Sequence, residues 1–317
     1  MSSKTALVLG ATGGIGRPVA HLLAARGWTV RALHRQPRTV EGAHPFEWIE
    51  GDALVPGDVA SAARDVSVIV HAVKPRNYRD WHKLVLPMVD NSIAAANGAR
   101  IVMPGNVYNY GPDAGSLIAE DAPQHSRTSK GRLRSEMERR LAAAVADGRA
   151  EALILRAGDF FGPGAGSSWF SEAMVRPGGR PRVIRNPARR GVGHQWVYLP
   201  DLAETMVQLI EHERLAPFAR FHMDGHWDPD GRHMVAAIMH ALGAPAIPVR
   251  PLPWWIMSLA APFAADMKEL VELRYLWERP VRLDNRHLVA TLGHEPHTPL
   301  ADAVRNTLAF MKVPVAN

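Results

Sequence analysis

Along the first half of the chain, apolar residues fall into two alternating kinds of run. Short, largely apolar runs at Thr5–Leu9, Trp28–Leu33, Phe46–Ile49, Val66–Val70, Arg100–Met103 and Ala152–Leu155 have the length and β-branched content of strands. Between them, apolar residues recur at helical spacing: Ile15, Val19, Leu22 and Leu23 within Gly14–Arg26, then the stretches Leu84–Asn97 and Ser129–Ala146. Strands apolar on both faces and separated by helices predict an α/β fold with a doubly wound parallel sheet.

The pattern changes after Arg156. Proline and glycine cluster from Gly158 to Gly193, and the helical stretches become shorter: Leu199–His212, Arg232–Leu242, Asp266–Glu278 and Pro299–Met311. Phe218–Met223 reads as a strand. The sequence therefore divides into residues 1–157, which carry the sheet, and residues 158–317, a smaller C-terminal lobe with return segments to the main sheet.

The strongest local signal is Gly10-Ala11-Thr12-Gly13-Gly14-Ile15-Gly16, between the first strand and the first helix. Glycines at 10, 13 and 16 allow a tight turn, close approach of backbone to a pyrophosphate, and close packing of helix on sheet. The helix N-terminus then offers N–H donors and the positive end of its dipole to phosphate. An NAD site carries an acid at the end of the second strand, to bind ribose hydroxyls. Here the chain reads Val30-Arg31-Ala32-Leu33-His34-Arg35-Gln36-Pro37-Arg38, with no acid. Arg35, assisted by Arg38 and Arg17, is placed to fork onto a 2′-phosphate. NADP(H) is favoured, and NAD(H) stays open.

Composition narrows the picture. Hydrophobic residues at 47% and charged residues at 21% of 317 describe an ordinary globular chain. Cysteine is absent, which excludes disulfides, thiolate nucleophiles and cysteine-ligated metals. Lys+Arg total 37 against 31 for Asp+Glu, and six of the 37 are lysines, leaving 37 − 6 = 31 arginines. They are spread over the whole chain, with no basic tail and no nucleic-acid signature, so no nucleic-acid partner is expected. The start, MSSKTALVLGATGG, does not read as a leader, and Trp254–Ala265 is too short to span a bilayer. The expectation is a cytoplasmic protein without a membrane partner.

Five further segments, in order, resemble the extended, sugar-epimerase-like branch of the short-chain dehydrogenase/reductase superfamily. They are Glu50-Gly51-Asp52-Ala53; Val70-His71-Ala72-Val73; Arg156-Ala-Gly-Asp159-Phe160-Phe-Gly162-Pro163; Val197-Tyr198-Leu-Pro-Asp201-Leu-Ala203; and Leu292-Gly-His-Glu-Pro296-His-Thr-Pro-Leu300. The resemblance implies a Rossmann fold, with Asp52 and Ala53 at the adenine, Ala72 and Val73 beside the cofactor, and Asp159 and Phe160 at the nicotinamide end. It also implies a small-molecule substrate and a homodimer formed through the helices that begin near Leu84 and Ser129.

The family's chemistry rests on a Tyr-x-x-x-Lys pair and a Ser or Thr. Matching Ser129-Lys130 to the family's Ser-Lys keeps Lys130 but puts Ser126 at the tyrosine position, and Asn106 takes the Ser/Thr position. Three readings follow. In the first, an atypical oxidoreductase or epimerase uses Lys130 to hold cofactor and Tyr108 or Tyr110 as proton donor, with the Asn106 amide on the reacting oxygen. In the second, the protein senses NADP(H) without catalysis. In the third, the proton comes from substrate or water.

Substrate signals are weaker. Arg176, Arg180, Arg182, Arg185, Arg189 and Arg190 occupy one Pro/Gly-rich stretch that suits either an anionic substrate or a charged surface loop. Pro253-Trp254-Trp255 suits a core, a pocket wall or a subunit contact. His222-Met-Asp224-Gly-His226-Trp-Asp228-Pro-Asp230 has metal-like composition, but its strand–turn context argues against a metal and makes Asp230 the cap of the next helix.

Overall fold

The computed structural model describes residues 4–316 apart from Ala43, residues 74–80 and Pro245. The first three residues, part of the stretch read above for a leader, lie outside the described residues. The chain begins with β1 (Thr5–Leu9), α1 (Gly16–Ala25), β2 (Thr29–His34), β3 (Glu47–Glu50), α2 (Pro56–Ala62), β4 (Val68–His71) and α3 (Trp81–Ala95). It continues with β5 (Arg100–Asn106), β6 (Leu117–Ile118), α4 (Ser129–Ala146), β7 (Glu151–Ala157), β8 (Asp159–Phe161), β9 (Ile184–Asn186) and β10 (His194–Tyr198). Then come α5 (Leu199–Glu211), β11 (Phe218–His222), β12 (His226–Asp228), α6 (His233–Leu242), β13 (Val249–Pro251) and α7 (Trp254–Ala260). The last elements are α8 (Ala265–Glu272), α9 (Tyr275–Glu278), β14 (Arg282–Leu283), α10 (Arg286–Leu292) and α11 (Leu300–Phe310).

Seven strands form one parallel sheet in the order β11-β7-β5-β4-β1-β2-β3. β1 and β4 are buried along their whole lengths, as strands covered on both faces must be. β1 pairs with β2 on one side and β4 on the other, so the winding reverses direction at β1. Such a switch point opens a crevice at the carboxyl ends of the strands.

Two compact, interleaved units make up the chain. The first comprises residues 1–105, 133–155 and 203–221; the second comprises 106–132, 156–202 and 222–317. These units divide the chain differently from the expected boundary at residue 157 with return segments from the C-terminal lobe. Residues 106–132 leave the first unit early, and 203–221 rejoin it late. The cause is the shared core of the first unit, in which Met137, Leu141 and Ala144 of α4 join Leu7, Leu9, Ile69 and Ile101 of the strands and Val85, Val89 and Ile93 of α3.

Within the second unit, β12-β10-β8 form a three-stranded sheet, and β13 with β9 and β14 with β6 form two-stranded ones. Its core gathers Phe161, Phe170, Trp196, Tyr198 and Trp277 with Ile238, Leu242, Val304 and Leu308. The expected long helix over 266–278 is two pieces, α8 and α9, with turn hydrogen bonds from Leu273 N to Leu270 O and Arg274 N to Val271 O between them. That break lets Leu276 and Trp277 turn into the core, both almost fully buried.

The arginine-rich stretch is not one open loop. Ile184–Asn186 pairs in parallel with Val249–Pro251, leaving Arg176, Arg180, Arg182, Arg185, Arg189 and Arg190 exposed around it. The adjacent tryptophans part company. Trp254 donates its indole N–H to Pro187 O (3.1 Å), whereas Trp255 is 66% exposed. Among the described residues, no helix is long and apolar enough to cross a membrane.

Candidate functional site

In the first unit, the glycine turn leaves β1 and enters α1 directly. Gly10 has φ +90°, and a Cβ there would lie 2.6 Å from Ala72 O; only glycine lets this backbone pass the end of β4. Gly13 N closes the turn on Gly10 O (2.9 Å). A Cβ on Gly16 would sit 2.3 Å from Gly10 O, so the helix can start this close to the turn only without a side chain. No side chain caps α1, and its first turn holds no acid. An uncapped, acid-free helix N-terminus beside a glycine turn suits a pyrophosphate, and the residues present therefore fit a dinucleotide.

The register brings the other expected cofactor residues to the same end of the sheet. Leu9 is level with Leu33 and with His71, so Gly10, the His34–Arg35 step and Ala72–Val73 follow neighbouring strand ends. Arg35 and Arg38 are exposed, as is Thr12, whereas Gly14 and Ile15 are half-buried. Glu50 lies level with His34 on the next strand. Beyond it, Asp52 Oδ1 accepts from Leu54 N (3.0 Å), and Ala53 O accepts from Asn91 Nδ2 (2.9 Å), which pins this corner to α3.

At the end of β4, His71 is buried. Its Nδ1 lies 2.9 Å from Ser92 Oγ, and the Ser92 hydroxyl donates to Met88 O. With that hydroxyl proton used, His71 Nδ1–H is the donor of the pair. Burial, reinforced by the Arg134 charge, lowers the His71 pKa to about 4, so the ring is neutral at ordinary pH.

The second unit holds the residues expected to carry chemistry. Asn106 Oδ1 accepts from Tyr108 N (3.0 Å) and caps the short helical turn Val107–Asn109, leaving its Nδ2 group to donate elsewhere. Tyr108 is half-buried and its hydroxyl donates to Asp159 Oδ1 (3.3 Å). Asp159 Oδ2 meets His194 Nε2 at 2.9 Å. The imidazole of His194 stacks on the Trp277 indole, with centroids 3.5 Å apart and planes 13° from parallel. β8 and β10 set this arrangement: Asp159 is level with Trp196, and His194, two residues earlier, projects from the same face as Trp196. A narrow cleft lined by Val107, Gly158, Asp159, His194, Gln195, Leu276 and Val281 reaches the pair. Phe160, the neighbour of Asp159, is half-buried and level with Val197.

Tyr110 is placed differently. It is 1% exposed, its hydroxyl 3.1 Å from His222 Nε2 and bonded by Arg156, which is itself fully buried. Arg156 also donates to Glu120 O (3.1 Å), and His222 Nδ1 lies 3.0 Å from Ile118 O. Tyr110 thus belongs to a buried polar cluster, within the second unit, of Arg156, His222 and the backbone of β6. Nearby Tyr275 donates to Tyr110 O (2.7 Å), and burial, with the Asp159 charge, pushes its phenol up.

Lys130 enters the first turn of α4, where Thr128 Oγ1 accepts from Gly131 N (3.0 Å) as the helix cap. Its ammonium pairs with Glu269 Oε2 at 2.9 Å, and only 11% of its side chain is exposed. Ser126, four residues before it, precedes the helix, with Oγ 3.3 Å from Thr128 Oγ1. The metal-like segment is absorbed by structure. Asp228, not Asp230, is the main cap of α6: it takes Arg232 N (3.0 Å) and, from inside the fold, Met234 N (3.0 Å). Asp230 reaches only Arg232. The Asp159–His194 pairing is the part of the site that sequence reading missed. Its members are 35 positions apart, and His194 is one of fifteen histidines with no motif around it.

Fold and glycine turn together define a doubly wound, Rossmann-type α/β protein. More narrowly, the chain belongs to the NAD dependent epimerase/dehydratase family, whose model matches residues 6–218. Uncharacterized protein y4nL of Sinorhizobium fredii is 27% identical over 219 residues, 63% of this chain and 59% of that protein. The 3-diazoavenalumate denitrifying reductase of a Streptomyces species is 30% identical over 180 residues, 50% of this chain and 57% of the reductase. The chain thus spans less than two thirds of the length of either curated relative. Among solved structures, UDP-glucose 4-epimerase from Brucella ovis, in complex with NAD, superposes with a TM-score of 0.75 at 16% identity, covering 99% of this chain and 100% of that one.

Proposed function

We propose that the protein is an NADP(H)-dependent oxidoreductase that interconverts a small carbonyl compound and its alcohol. The observation that carries this reading is the first-unit turn: an uncapped helix N-terminus behind Gly10–Gly16, with Arg35 rather than an acid after the neighbouring strand. Pyrophosphate would lie on the turn, and the Arg35 guanidinium would take the 2′-phosphate in a forked contact. The bound dinucleotide supplies or accepts a hydride at its nicotinamide.

The chain's own residues would do the rest. Lys130 would hold the nicotinamide ribose through its ammonium. Asn106 would donate from Nδ2 to the reacting oxygen, which stabilises the charge that builds there. Tyr108, whose hydroxyl donates to Asp159, would move the proton in place of the family's tyrosine. The Streptomyces relative, named as a reductase, supports reduction over epimerisation. The exposed arginines around β9 support an anionic substrate, and the Arg140–Asp90 pair that joins α3 to α4 supports a preformed two-helix surface for a homodimer.

Paired fluorescence titrations with NADPH and NADH, followed by a screen of aldehydes and ketones for NADPH oxidation, test the proposal. Tight NADPH, weak NADH and turnover of one carbonyl compound are expected. NADPH binding without turnover of any carbonyl or alcohol would instead favour a sensor, and binding of neither dinucleotide would sink both.

A further inference from the structure

Tyr108, Asp159 and His194 form a continuous hydrogen-bonded line within the second unit, and its polarity is readable. The phenol donates to Oδ1 of the carboxylate. Oδ2 of the same carboxylate is occupied by His194 Nε2, which must carry a hydrogen to bond a carboxylate. His194 is held in turn from its other side, with Nδ1 3.3 Å from Leu276 O and one face stacked on Trp277. The imidazole cannot turn without leaving Asp159 and the indole. Asp159 is therefore fixed at one oxygen and offers the other to Tyr108. Asp159 and His194 are 7% and 5% exposed, whereas Tyr108 at the outer end is half-buried. Two buried, paired ionisable groups bonded to the phenol of a half-buried tyrosine have more order than packing alone requires.

From this geometry we infer that Asp159 is the proton store behind Tyr108, and that His194 is a positioning residue that aims the carboxylate oxygen bonded to Tyr108. The inference rests on the carbonyl–alcohol reading above and deepens it. In the oxidising direction the alcohol O–H gives its proton to the Tyr108 oxygen as the phenolic proton passes to Asp159 Oδ1. The carbon–hydrogen bond breaks as hydride to the oxidised nicotinamide dinucleotide, and the C–O bond becomes C=O. In reverse, protonated Asp159 returns the proton through Tyr108 to the carbonyl oxygen while hydride arrives at carbon. Charge never rests on the phenol, because each proton it gains is matched by one it gives. The line thus permits proton transfer without the depressed phenol pKa that a neighbouring lysine gives the family's tyrosine.

Two readouts on the full chain test this. With NADPH and nitrobenzaldehyde, Tyr108→Phe and Asp159→Asn should each lower kcat on the order of a hundredfold while KM stays within about threefold, since a shuttle acts on the chemical step. The double variant should be no slower than the worse single one, because both remove the same path. Without cofactor or substrate, the labelled tyrosine ring-carbon resonance that disappears in Tyr108→Phe should move in both Asp159→Asn and His194→Gln, and the Tyr110 resonance should not. An Asp159→Asn enzyme as fast as wild type, losses that multiply in the double variant, or an unmoved Tyr108 resonance would each overturn the shuttle. A wild type that turns over neither nitrobenzaldehyde nor any other carbonyl compound or alcohol of the screen would instead overturn the oxidoreductase reading.

Discussion

Lys130 Nζ lies 2.9 Å from Glu269 Oε2, an ion pair that joins the first turn of α4 to α8. The carboxylate fixes the ammonium at the helix start. Lys130→Ala should abolish turnover while some NADPH affinity survives. Glu269→Gln, which loosens the ammonium without removing it, should cost no more than roughly tenfold in kcat/KM, the scale of a positioning contact. Steady-state kinetics of both variants decide; a fully active Lys130→Ala enzyme would remove the lysine from the mechanism.

Arg35 distinguishes the two dinucleotides. Arg35→Ala should weaken NADPH at least about tenfold, the loss of one charge-assisted forked contact, and leave NADH nearly unchanged. Glu50 stands level with His34 on the next strand, and Glu50→Gln should shift the ratio further toward NADPH. Equal losses for both cofactors in Arg35→Ala would place the guanidinium away from the 2′-phosphate.

Gly16 has no room for a methyl group. Its Cβ would meet Gly10 O at 2.3 Å, backbone against backbone, so neither atom can swing aside. Gly16→Ala should destabilise the fold by ~1–3 kcal/mol, as overpacking does. It should also cut dinucleotide affinity by displacing the turn. Urea midpoints and the fluorescence titration report the two effects separately.

Acid should weaken the fold through His71. Its folded pKa is near 4 against an ordinary 6.5, because burial and Arg134 disfavour the cation. The unfolded chain therefore binds the proton first. Stability is intact above pH 6.5 and falls as pH drops from there toward 4, by at most ~3 kcal/mol from this residue. His226, also lowered to about 4, mainly by burial, acts with the same sign. In His71→Gln the pH dependence of the urea midpoint should be shallower across that window; an unchanged slope would mean that His71 titrates normally in the folded state.

Asp228 and Asp230 offer a contrast at α6. Asp228→Ala removes acceptors for two backbone N–H groups, one of them buried, and should cost ~1–2 kcal/mol. Asp230→Ala should be nearly silent, since Arg232 N keeps its bond to Asp228. Thermal melts of the pair check the assignment.

Reading from sequence succeeded where a segment is long enough to show its period. The β1–turn–α1 unit, the buried strand read at Val66–Val70 and observed at Val68–His71, and α4 at Ser129–Ala146 were legible because burial on both faces, or on one stripe, writes itself into the choice of side chains. It failed where elements are too short for a period. β8, β9 and β12 have three residues each, and their partners are set by contacts far along the chain. α7 misled in another way: Trp254 packs inward while Trp255 and Leu259 face out, so uniform hydrophobicity gave no stripe to read. In the candidate site, the glycine turn was legible from spacing. The line behind Tyr108 was not, because β8 and β10 meet only in the folded sheet.

The interleaving of the two units has a consequence for how the protein is made. The glycine turn leaves the ribosome early, yet the sheet behind it keeps β7 as a bare edge until α5 and β11 have been synthesised. A nascent chain at that stage presents unpaired backbone and uncovered apolar residues to its surroundings, the condition that favours aggregation. Synthesis stalled before residue 203 would therefore leave a sticky fragment rather than a working nucleotide-binding half, and cutting the gene at the middle would not yield two independent modules.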